Sequence, residues 1–156
     1  MARPINWLLS VLPLLKISTI VCFLLIIVFF LDGRDQWLPY KIIFMCSFAF
    51  LLGVFFSLVI HYFDISRSSK QIPWISLELL FNVLGFLYCA TAVVVLGYDW
   101  YLLNTNSKNA HHRMGLPLTI DYAGWQRRVL VVALVLLATG IIFLATLGRV
   151  KKAGFA

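Results

Sequence analysis

The sequence predicts an all-α protein, a bundle of four transmembrane helices forming a single domain over residues 1–156. Three observations carry this. Hydrophobic residues make up 62% of the chain and charged residues 12%, whereas a soluble domain carries about 25% charged residues. The mean hydropathy is +0.95. Four stretches, 17–31, 42–60, 79–98 and 129–148, contain no Asp, Glu, Lys or Arg. A spanning helix needs about 20 mostly apolar residues, and lipid excludes open sheet edges and irregular backbone. The runs do not alternate apolar with polar, as the strands of a β-barrel would.

The first span is expected over about 11–31. Its charge-free run is short, but Val11–Leu15 extends it if Lys16 snorkels toward the headgroups. Arg3 followed by an apolar run resembles the start of a signal peptide. The run continues to Leu31 without an obvious small-residue cleavage site, so an uncleaved span is favoured. The second and third spans are expected over about 40–61 and 74–98, and the fourth over about 128–148. Neither a prenylation box at the AGFA end nor a myristoylation glycine in MARP is present.

Four spans put both termini on one side. Seven positive residues fall there (Arg3, Lys16, Arg67, Lys70, Arg149, Lys151, Lys152) and six on the other side (Arg34, Lys41, Lys108, Arg113, Arg127, Arg128). The terminal clusters favour cytoplasmic termini, and the Arg127–Arg128 pair argues the other way. The net charge of +7 is scattered over both faces. It suits anionic headgroups and gives no reason to expect nucleic acid.

Cys22, Cys46 and Cys89 all fall inside spans, so no outer-loop disulfide is expected. The claudin signature and the tetraspanin Cys-Cys-Gly motif are both missing. Neither 32–41 nor 99–128 holds an N-glycosylation acceptor.

The third span opens PWISLELLFN and carries Glu78 roughly 7–8 Å into the helix at ~1.5 Å per residue. One face of this helix reads Glu78, Asn82, Gly85, Cys89, Ala92, every member polar or small. The second helix has Ala49, Gly53 and Ser57 at a four-residue repeat. Small and polar residues drive helix association in lipid, so these two faces should meet each other or a second protein. Two readings of Glu78 compete. In the structural one it pairs with Lys16, Lys70 or Arg67, or stays protonated and bonds Asn82. In the functional one it binds a proton or ion, as intramembrane carboxylates often do. The further carboxylates, broken helices and repeats of a transporter are not visible, so the structural reading is favoured.

His111 and His112 are sequence neighbours, which do not share a helix face, so a surface pair is expected rather than a metal site. His61 stands alone, which leaves a haem without its ligands. Trp37, Tyr40, Tyr62, Trp74, Tyr98, Trp100, Tyr101 and Trp125 lie near span ends, as an aromatic belt would. No nucleophile–base pair, phosphate loop or zinc spacing appears, so neither an enzyme nor a cofactor is expected. The outer loop 99–128 is long for a connection without structure. Within it Ile120, Tyr122 and Trp125 are candidate contacts for headgroups or a partner.

The four-span layout, the short first outer loop, Trp74-Ile-Ser-Leu-Glu78 at the third span and the basic tail RVKK together resemble MARVEL-type proteins. Within that class the chain is most similar to the snakeskin-type proteins of septate junctions. The points of likeness are LLK (14–16), Glu78 with Leu80, Asn82 and Gly85, Trp100, and Gly140 with Phe143, Leu144 and Ala145. The loop between the second and third helices, with only Arg67 and Lys70, is less basic than that pattern.

The resemblance implies a structural protein of the plasma membrane that organises junctions or specialised membrane domains by lateral assembly. Its expected partners are other membrane proteins, a second copy included, and membrane lipids. The rival expectation is an accessory subunit of a channel, transporter or respiratory complex. A proton-coupled carrier using Glu78 comes third.

Overall fold

The computed structural model describes residues 5–65, 72–105 and 120–153. After a short 3-10 turn, Ile5–Leu9, come four α-helices: α1 (Val11–Phe30), α2 (Leu38–Tyr62), α3 (Trp74–Asn104) and α4 (Tyr122–Ala153). Among the described residues all four are long and apolar enough to cross a membrane, and there is no strand.

The boundaries follow from local chemistry. Ser10 in an extended conformation precedes α1, and Pro13 sits in its first turn, where no intrahelical N–H is needed. Pro39 plays the same part at the start of α2. Beyond α2, Asp64 takes a left-handed conformation at φ 55, which short polar residues tolerate. Its amide donates to the His61 carbonyl at 3.3 Å. Buried hydroxyls inside the spans turn back on their own helix. Thr19, Thr139 and Thr146 donate to the carbonyls of Leu15, Val135 and Ile142 at 2.9, 2.7 and 2.8 Å.

Two helices run past the spans expected from the sequence: α3 continues six residues beyond 98, to Asn104, and α4 begins at Tyr122. Charged residues at 99 and 127–128 looked like the edge of the membrane. The helical ladder needs no apolar side chains, however, and Asp99 is carried inside the bundle rather than out to water. The expected 99–128 loop is correspondingly shorter. Residues 106–119, with His111 and His112, lie outside the described residues, as do Arg67 and Lys70.

The helices pack α1 on α2, α1 on α4, and most extensively α3 on α4. Of the helix pairs that are neighbours around the bundle, α2 and α3 approach each other least. An aromatic layer fills the middle of the bundle. Phe23, Phe50, Phe81, Tyr88 and Phe143 form a set of ring pairs with centroids 5.1–6.5 Å apart. Tyr88 spans the gap between α3 and α2, donating to the Ile43 carbonyl and pairing with the Ser47 hydroxyl, each at 2.8 Å.

Candidate functional site: two buried carboxylate clusters

The face predicted for α3 is the buried one. Glu78, Asn82, Gly85, Cys89 and Ala92 are all inside, and the same stripe continues through Leu96, Asp99 and Leu103. It packs on α4. A Cβ on Gly85 would sit 2.6 Å from the Phe143 ring, so only glycine admits that side chain. Cys89 lies opposite Gly140, whose added Cβ would meet the Cys89 Cβ at 3.4 Å.

Of the small row expected on α2, two members meet α3. Ser57 reaches Glu78. Gly53 lies under Phe81, where a Cβ would come within 2.7 Å of the ring. Ala49 is exposed. The small row therefore does not bring two backbones together. The buried stripe of α2 is instead Tyr40, Ile43, Ser47, Val54 and His61. Those larger side chains bury more apolar area against α1 than a row of small ones would, and the bulky aromatic layer holds α2 away from α3.

Glu78 is 7% exposed and Lys16 3%. The Lys16 ammonium, from α1, donates to Glu78 Oε1 and also to Ser57 Oγ, the latter at 2.7 Å. Ser57 Oγ donates to Glu78 Oε2 at 2.6 Å. Asn82 Nδ2 donates to Glu78 Oε1 at 3.0 Å and to the Glu78 carbonyl at 2.6 Å. His61 Nε2 stands 3.6 Å from Glu78 Oε2. Of the partners open to Glu78, the fold uses Lys16 and Asn82 together. Three helices thus converge on one carboxylate. A buried pair is tolerable only when its remaining donors and acceptors are also satisfied, and here both oxygens are.

A second carboxylate closes the other end of the bundle. Asp99 is 0% exposed, and the Tyr40 hydroxyl of α2 donates to its Oδ2. Trp125 Nε1 of α4 donates to the Tyr40 oxygen at 3.4 Å. Phe30 completes the cluster, with its ring centroid 5.2 Å from Tyr40 and 5.9 Å from Trp125. The turn after α1 is shaped by this packing, because a Cβ on Gly33 would lie 2.1 Å from the Trp125 ring. At the rim Arg128 donates to Asp32 at 3.0 Å.

Trp125, expected to touch headgroups or a partner, is therefore corrected: it is 1% exposed and walled in by Phe30 and Tyr40. Tyr40 likewise leaves the aromatic belt for the core. Tyr122 keeps 38% exposure while donating to the Leu103 carbonyl at 2.8 Å. Ile120 is half-buried against the core. Asp99 was missed as a site residue although a signal existed: the progression from Glu78 to Ala92, carried about two turns further, lands on it. No comparable signal marks Tyr40, whose place depends on how α2 lies across α3.

Between the two clusters lies the aromatic layer, together with Leu96, Val132 and Leu136. Among the described residues no group of three His, Cys, Asp or Glu is placed to hold a metal ion. Fold and composition define the class: an integral membrane protein built as a four-helix bundle. Compared with known proteins, the chain matches no family model, no curated protein and no solved structure.

Proposed function

We propose that this chain is a non-catalytic structural protein of the plasma membrane. It organises cell–cell junctions or specialised membrane domains by lateral assembly, with both termini cytoplasmic. The observation that carries the reading is the state of Glu78. An ion or proton carrier keeps a carboxylate available to its cargo, whereas both oxygens of Glu78 are held by Lys16, Ser57 and Asn82. The layer between the two clusters is largely aromatic and aliphatic. The resemblance of the Trp74–Glu78 region to MARVEL-type and septate-junction proteins supports the same role. Its partners are then other membrane proteins, a second copy included, and membrane lipids.

Immunogold labelling of the endogenous protein tests this. Gold concentrated along lateral cell borders is the expected result. Gold over mitochondria or intracellular vesicles would sink the reading.

A second reading is an accessory subunit of a channel, transporter or respiratory complex. The outer surface of α2 favours it. Only 17% of its most apolar window is buried, and Phe48, Leu52, Phe55 and Phe56 all face outward. Stoichiometric co-purification with one larger complex would select this reading over the first.

A further inference from the structure

Where α2 and α3 stand apart, a cleft of about 350 Å³ opens sideways. That is the small end of the ~300–1,000 Å³ range of ligand sites. Its α3 wall runs from Trp74 to Leu84 and its α2 wall from His61 to Gly53. At ~1.5 Å per residue the α3 wall is roughly 15 Å long, half the ~30 Å thickness of the hydrocarbon core. The cleft thus has the depth of one leaflet. It starts where α3 begins and stops near mid-membrane.

The walls are graded. The rim residues Phe56, Leu77, Leu80 and Leu84 are apolar and exposed. Ser57, His61 and Glu78 lie toward the boundary end, and Gly53 toward the deep end. The carboxylate is compensated by Lys16, so the cleft presents no unbalanced charge. Trp74 lines the mouth. Its indole Nε1 is buried and has no acceptor among the described residues. A buried donor without an acceptor is costly and is relieved by any oxygen that reaches it.

We propose that the cleft holds one acyl chain of a glycerolipid from the leaflet on the side where α3 begins, with the Trp74 indole turning so that its Nε1, closed off in this conformation, donates to the chain's ester carbonyl. The apolar chain matches the walls in chemistry and in length. The neutral carbonyl matches the donor, whereas the anionic head of a free fatty acid would meet Glu78. A partner helix, ~10–12 Å across, is too wide for the volume. This goes beyond the organising role and stands or falls independently of it.

The test uses the full chain in phosphatidylcholine nanodiscs. Each disc carries a trace of phosphatidylcholine with a diazirine in one chain, either ester-linked or ether-linked. Labelled residues are mapped by mass spectrometry. The ester probe is expected to label Phe56, Leu77 and Leu84 several-fold more than Leu134 and Leu144, which face outward on α4. It should also exceed the ether probe there. Leu84→Trp should abolish the excess by filling the cleft, with Leu80→Trp as a second filling variant. Trp74→Phe should remove the preference for ester over ether. Labelling no stronger in the cleft than at Leu134 and Leu144, or equal labelling by the two probes in the wild type, would overturn the proposal.

Discussion

Lys16 and Glu78, 62 residues apart in the chain, form an ion pair inside the bundle that ties α1 to α3, with Ser57 of α2 bonded to both. Removing one partner of such a pair leaves an uncompensated buried charge, which costs about 3–5 kcal/mol. Lys16→Met should therefore destabilise the protein by about 3 kcal/mol. Adding Glu78→Gln should recover much of that loss. Reversible unfolding in mixed detergent micelles measures both, and additive effects of the two substitutions would show that the residues do not interact.

At the opposite end, the Tyr40 hydroxyl donates to Asp99. Asp99→Asn keeps an acceptor oxygen and should cost about 1 kcal/mol or less, whereas Asp99→Leu strands the hydroxyl and should cost about 1–3 kcal/mol. The ranking of the two melting temperatures checks this. Tyr40→Phe should remove the advantage of Asn over Leu, since the hydroxyl that the Asn oxygen accepts from is then gone.

Glycine positions separate tight packing from free surface. A methyl group at Gly33 or Gly85 collides with Trp125 or Phe143, while at Gly97 it meets nothing. Gly33→Ala and Gly85→Ala should each destabilise by about 1–3 kcal/mol, as overpacking does. Gly97→Ala should be neutral or stabilise, by up to about 1 kcal/mol from helix propensity. Thermal unfolding of the three variants side by side gives the answer.

Both oxygens of Glu78 are held by protein donors, which predicts an absence of transport. Liposomes containing the wild type or Glu78→Gln should show no more pH-driven proton flux than empty liposomes. Flux in the wild type that the substitution abolishes would revive the carrier reading.

The sequence by itself determined the four spans and the buried face of α3. Charge-free runs near membrane thickness have few alternatives in lipid, and a polar stripe at helical spacing must turn inward. It also narrowed the partner of Glu78 to a few cations and Asn82. Tertiary structure brought Lys16 and Asn82 to it together, because Lys16 reaches Glu78 only through the way α1 lies against the rest of the bundle. It likewise moved Trp125 and Tyr40 from the membrane boundary into the core and left Ala49 outside. Each of those outcomes depends on the rotation of one helix against another, and interhelical packing has no signature within a single helix. Asp99 lay in between. Its face was readable from Glu78, but its burial required a hydroxyl from α2 that only the assembled bundle brings to it.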